Sequence, residues 1–163
     1  MESPDGKELI SLDSTLPNRL IAKALKEKAI FPLANWNFEK AEYSMEGSRF
    51  DFLLTDNNKK LVLEVKSVTL VKNQTGFFPD AITSRGARHL RELIKINKMK
   101  NWRSAVLFVL QRRDAKKIVA APEIDSVFAE NLITARESGV TILGVNCSIF
   151  IDRIVLGDLI PVE

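Results

Sequence analysis

The stretch SRFDFLLTDNNKKLVLEVKSVTL, residues 48–70, constrains the fold more than any other part of the chain. Two strand-like runs, residues 48–55 and 60–66, flank the turn formers Asp56, Asn57 and Asn58 and predict an antiparallel hairpin. A two-residue loop at Asn57 and Asn58 sets Asp51 opposite Glu64 and Arg49 opposite Lys66. Alternation sends Phe50, Phe52 and Leu54 to one face and Asp51 to the other, while Glu64 shares a face with Lys66. Directly opposed side chains on one face have Cβ atoms about 4.5 to 5.5 Å apart, so the two carboxylates are expected to meet.

Two ionised carboxylates at that separation repel, and burying either alone is costly. A shared proton or a bound cation removes the conflict. A divalent ion of the Mg²⁺ type suits it, because Mg²⁺ takes one or two carboxylates and fills its other positions with water and phosphate oxygens. Lys66 would then hold water or offset charge developing on a phosphate. The spacing also fits a solvated sheet face on which Arg49 and Lys66 simply pair with the acids, and it does not choose between the two.

Around this hairpin the chain reads as an α/β domain. A helix is expected from Pro17 to before Pro32, with Leu20, Ile21, Ala24 and Leu25 on its apolar stripe. Strand character follows at residues 36–43. After a loop with Gly76 and Pro79 comes a helix over residues 81–98, capped by Asp80 and burying Ile82, Gly86, Leu90, Leu93 and Ile94. The continuous apolar run SAVLFVL, residues 104–110, predicts a central strand covered on both faces. A third helix spans residues 123–138, with Asp125 as its cap and Gly139 just past its end. VTILGVNCSI and FIDRIVL supply one or two closing strands. The expectation is one domain over residues 1–163, with residues 1–12 a loose lead-in and a mixed central sheet flanked by helices.

Charge is concentrated. Residues 84–117 carry eleven Lys or Arg against Glu92 and Asp114, in a chain whose net charge is only +3. Arg85, Arg88, Arg91, Lys95 and Lys98 recur at helical spacing as a basic ridge, and Gln111, Arg112 and Arg113 end the central strand. Such a surface suits phosphate contact. The lone Cys147 sits in an apolar run and excludes an internal disulfide, which fits a reducing cytoplasm. No secretory signal opens the chain, and no apolar run is long enough to span a bilayer, so no membrane partner is expected.

Asp51 followed by Glu64-Val65-Lys66 after a first helix resembles the PD-(D/E)XK restriction-endonuclease-like core. The words SLDSTLPNRLIAKAL, SRFDFLL, LEVKSVTL, GFFPDAITSRGARHLREL, LFVLQRRDA and ARESGV resemble, in that order, the sugar fermentation stimulation protein family over residues 11–145. The resemblance implies a nuclease-like domain associated with DNA, with RNA left open. Longer members carry a small OB-like barrel before the LPNRL helix, and this chain is expected to lack it. The implied site has Asp51, Glu64 and Lys66 as catalytic residues. Asp51, Glu64, the Val65 carbonyl and Glu42, with Glu39 its rival, would bind Mg²⁺ or Mn²⁺. Nucleic-acid contacts fall to Arg49, Thr83, Arg85, Arg88, Arg91, Lys95, Gln111, Arg112 and Arg113. Asp80, Gly86 and His89 belong to the family words, and His89 reads as a hydrogen-bonded structural histidine. A regulator of sugar metabolism genes that binds DNA without cutting it is the alternative.

Overall fold

The computed structural model describes residues 15–163; the lead-in expected over residues 1–12 lies outside them. Helix α1 (Leu16–Lys26) is followed by a 3-10 turn (Phe31–Leu33) and strands β1 (Asn37–Met45), β2 (Ser48–Asp56) and β3 (Lys59–Val68). Short strands β4 (Leu70–Lys72) and β5 (Thr75–Phe78) precede α2 (Ser84–Asn97) and β6 (Trp102–Leu110). The chain continues through β7 (Lys117–Ala120), α3 (Ser126–Glu137), β8 (Thr141–Ile149) and β9 (Ile154–Ile160).

Six strands form a mixed sheet in the order β1-β2-β3-β6-β8-β9. Its centre, β3-β6-β8, is parallel, and the flanking pairs are antiparallel. The apolar run expected to be central is β6, buried from Ser104 to Leu110. Alternate side chains feed two cores. On one face Val62, Val106 and Phe108 cluster with Leu90 and Leu93 of α2 and Phe128 and Leu132 of α3. On the other, Leu61, Leu63, Ala105 and Leu107 cluster with Ile21, Ala24 and Leu25 of α1. Cys147 is buried in this second core, and burial pushes its thiol up to about 12.

The segment expected as a loop around Gly76 is instead part of a second sheet, β4-β5-β7. Its hairpin turns on Asn73 and Gln74, at φ 49° and 61°, a sequence without the glycine that signals such turns. Strands of three and four residues are too short to show periodicity.

Helix α2 starts later than expected, and Asp80 is not its cap. Thr83 is, accepting from the Gly86 N–H at 3.0 Å, while the Thr83 N–H donates to Asp125 at 2.8 Å. Asp125 caps α3 as well, accepting from the Phe128 N–H at 2.9 Å. One carboxylate thus ties two helix starts together. Gly86 makes room for the cap rather than for the sheet: a Cβ there would lie 2.8 Å from the Thr83 side chain and 3.3 Å from Phe128. Ile82, expected in the core, lies outside the helix and is 81% exposed.

The N–H groups of Thr83 and then Phe128 hold the Asp125 carboxyl below its ordinary value of 3.8. A carboxyl depressed by folding stabilises the protein at neutral pH, and that stability disappears as pH falls through the folded value. Asp125→Asn is expected to cost about 1 kcal/mol at pH 7. The gap from the parent should close in denaturant titrations repeated at pH values well below 3.8.

Candidate metal and phosphodiester site

The hairpin register holds as expected from Asp56 opposite Lys59 to Phe52 opposite Leu63, and the ladder ends there. Beyond it, the Val65 N–H donates to Asp51 Oδ2 at 2.7 Å, so a side chain takes the place of the next strand bond. Asp51 Oδ1 accepts from Asn18 of α1 at 2.7 Å. On the other flank of Asp51, Glu42 of β1 has φ 57°, a left-handed conformation unusual for a non-glycine residue. The alternation expected along β2 therefore breaks at Asp51. Phe50 enters the α2-side core, with its ring 5.4 Å from His89, whereas Phe52 and Leu54 enter the α1-side core. The expected Arg49–Lys66 pair is not part of the β2–β3 ladder, which stops at Phe52 and Leu63.

Glu64 lies on β3 between β2 and β6 and is only 5% exposed. Its Oε1 accepts from Lys66 Nζ at 2.7 Å and lies 2.7 Å from His89 Nδ1. An ionised carboxylate only accepts, so His89 carries its proton on Nδ1 toward Glu64. His89 is 1% exposed, a core residue of α2 rather than one at the edge of its stripe. Glu64 Oε2 is also buried, and among the described residues it has no hydrogen-bond partner.

The electrostatics separate the two acids. Burial pushes Glu64 up, but the His89 hydrogen bond and the Lys66 ammonium outweigh it and lower its pKa. Burial, followed by repulsion from Glu64, raises Asp51 against the opposing pull of the Val65 N–H, Asn18 and Lys66. The expected Asp51–Glu64 pair falls just past the end of the ladder, with Glu64 near enough for its charge to bear on Asp51.

Asp51 opens onto a cleft of about 560 Å³ between α1, the β1–β2 pair and the start of α2. Asn18, Arg19, Glu42, Arg49 and Arg85 line it with Asp51. Three guanidinium groups around a carboxylate make a cleft suited to a phosphodiester. Glu42 is at this cleft; Glu39 is exposed and is not part of its lining. Among the described residues no three His, Cys, Asp or Glu side chains form a ready metal cluster, so any cation here draws on carbonyl and water oxygens too.

A family model for the sugar fermentation stimulation protein RE domain matches residues 15–152. The chain belongs to the sugar fermentation stimulation protein family. The family's homologue in Shouchella clausii is 43% identical over 161 residues, covering 99% of this chain and 69% of the relative. The Clostridium novyi homologue is 42% identical over 157 residues, covering 96% and 67%. The solved structure of Pyrococcus furiosus SfsA in complex with Ca²⁺ superimposes with a TM-score of 0.86 at 25% identity, covering 93% of this chain and 66% of that one. This family member thus spans about two thirds of the length of those relatives.

Most of the other expected contacts lie outside the cleft lining. The ridge of Arg85, Arg88, Arg91, Lys95 and Lys98 is exposed along α2. Arg113 is exposed too, but Arg112 is buried and forks onto Asp114 at 2.7 and 2.9 Å. Gln111 is buried and donates to Ser67 at 2.5 Å. Neither belongs to an open basic surface. Thr83 is occupied as a cap, and Asp80 is exposed beside it. Asn18 and Arg19 were not anticipated at the site, although both lie within the LPNRL word that carries part of the family likeness. No helix among the described residues is long and apolar enough to cross a membrane.

Proposed function

We propose that this family member is a DNA-binding protein with a divalent-metal-dependent phosphodiesterase site, built within a single nuclease-like domain and working in the cytoplasm. The observation that carries the reading is Glu64 Oε2, a buried oxygen without a partner on a carboxylate whose other oxygen already has two donors. An orphaned buried anionic oxygen is costly, and a cation satisfies it. Each Asp51 oxygen accepts one hydrogen bond and keeps a further lone pair. Asp51, Glu64 and the Val65 carbonyl would supply the hard oxygens that Mg²⁺ or Mn²⁺ takes, and Glu42 lines the cleft with Asp51. The Pyrococcus protein was solved in complex with Ca²⁺, which supports a divalent ion in this fold.

When bound, the ion would polarise the phosphate and make water more acidic. The chain's residues do the rest. Lys66 uses one ammonium hydrogen on Glu64 and has others with which to hold the attacking water. Arg19, Arg49 and Arg85 orient phosphate oxygens in the cleft, and the α2 ridge holds the flanking backbone. His89 fixes the rotation of Glu64.

One observation favours the non-catalytic alternative, a DNA-binding regulator. Lys66 and His89 already compensate Glu64 without any metal. Labelled DNA and RNA incubated with Mg²⁺ or Mn²⁺ separate the two. Cleavage that stops with EDTA and in Glu64→Gln is the expected result. Salt-sensitive binding with every substrate left intact would establish the regulator instead.

A further inference from the structure

The loop before α2 holds an apolar side chain out in solvent on a fixed mount. At one end Pro79 is buried, and the Ala121 N–H donates to the Phe78 carbonyl at 2.9 Å. At the other, the Thr83 N–H is bound by Asp125 at 2.8 Å, and the Thr83 hydroxyl holds the first turn of α2 at 3.0 Å. Between these anchors Asp80, Ala81 and Ile82 are all exposed, Ile82 at 81%. Three residues on, Arg85 lines the cleft with Asp51, and the ridge continues through Arg88 and Arg91. Single exposed apolar residues are ordinary on a protein surface. This one differs in standing at the head of a row of cations beside a cleft.

We infer that Ile82 is a base-contacting wedge: it packs against the bases of a nucleic acid whose phosphates are held by Arg85 and the ridge. The inference rests on the nucleic-acid reading above. The partner follows from charge and polarity together. A row of exposed guanidinium groups calls for repeated anions, and an aliphatic side chain among them calls for an apolar surface within the same ligand. Nucleic acid supplies both, as alternating phosphates and base faces, and protruding aliphatic side chains insert between base steps in this way. A mount pinned at both ends lets Ile82 make that contact without first paying for the ordering of a loop.

The test measures binding of fluorescent single-stranded and duplex oligonucleotides by the parent, Ile82→Ala and Arg85→Ala over a range of salt, without divalent ions. Ile82→Ala is expected to bind about 5- to 10-fold more weakly, as loss of a buried aliphatic contact implies, with an unchanged salt slope. Arg85→Ala should instead lower that slope by about one. A 2-aminopurine probe should report altered stacking with the parent and not with Ile82→Ala. Equal binding by the parent and Ile82→Ala overturns the wedge while leaving the nucleic-acid reading intact. Failure of the parent to bind any oligonucleotide removes that reading and the wedge with it. Phosphatidylserine vesicles form a separate arm: binding confined to them and lost in Ile82→Ala assigns the loop to a lipid surface and overturns the proposal. Because Ile82 is exposed, the variant should melt as the parent does, and its binding can be compared directly.

Discussion

Exchanging Lys66 for methionine is expected to lower metal-dependent cleavage by about 100-fold or more, the scale on which removing one well-placed donor acts. Divalent-ion affinity should stay the same or tighten. The two effects separate because Lys66 has two opposed relations to the site. Its ammonium lies 2.7 Å from Glu64 Oε1 and is nearly buried, so it competes with a cation for the charge of that carboxylate. In the proposed reaction it is also the amine that holds the nucleophile. Methionine keeps much of the length and the apolar stem while removing both. A parallel loss of affinity and cleavage in Lys66→Met would show that the lysine builds the site rather than acting in it. His89→Asn provides a companion test. An amide hydrogen can replace the Nδ1–H toward Glu64, so Asn should keep more ion affinity than His89→Leu.

The second large effect concerns the scaffold. Phe108 is fully buried on the central strand, with its ring 5.4 Å from Phe78 of the second sheet. Phe78 lies in turn 5.0 Å from Phe128 of α3. Phe108→Ala removes the ring on which the second sheet leans and leaves a cavity beside Lys66's neighbour strand. A loss of about 3 to 5 kcal/mol is expected in urea unfolding. That is a large share of the stability of an ordinary domain. A loss below about 1 kcal/mol would mean that the two sheets do not share one core.

Much of this architecture was legible in the residues because local signals and burial agreed. The Asp56-Asn57-Asn58 turn fixed a register that the structure keeps from Asp56 to Phe52. The run from Ser104 to Leu110 reads as a strand covered on both faces and is one, and Asp125 and Gly139 bracket α3 as their chemistry suggests. What escaped depends on partners distant in sequence. Thr83 outranks Asp80 as a cap because Asp125, 42 residues later, binds its N–H. The inversion of Phe50 follows distortion on both sides of Asp51, by Glu42 and by the Val65 N–H. Arg112 looked like surface charge, but Asp114 two residues on satisfies its fork and lets it be buried. Asn18 and Arg19 reach the cleft only because α1 docks on the sheet beside β2, a relation that no periodicity within α1 reveals. The acid pair lay between these cases. Its members could be named from the hairpin, whereas the free oxygen of Glu64 required His89 and Lys66 to be seen on the other one.

Calorimetric titration of Mn²⁺ into the parent and Glu64→Gln decides whether Asp51 and Glu64 together hold a divalent cation. Saturable binding is expected for the parent, with affinity weaker in the variant by more than about 100-fold, beyond the range that supporting residues usually contribute. The melting temperature of metal-free Glu64→Gln, measured alongside, shows that a weaker titration is not a failure to fold. Superimposable titrations, or no saturable binding by the parent, would contradict a cation held by the two acids.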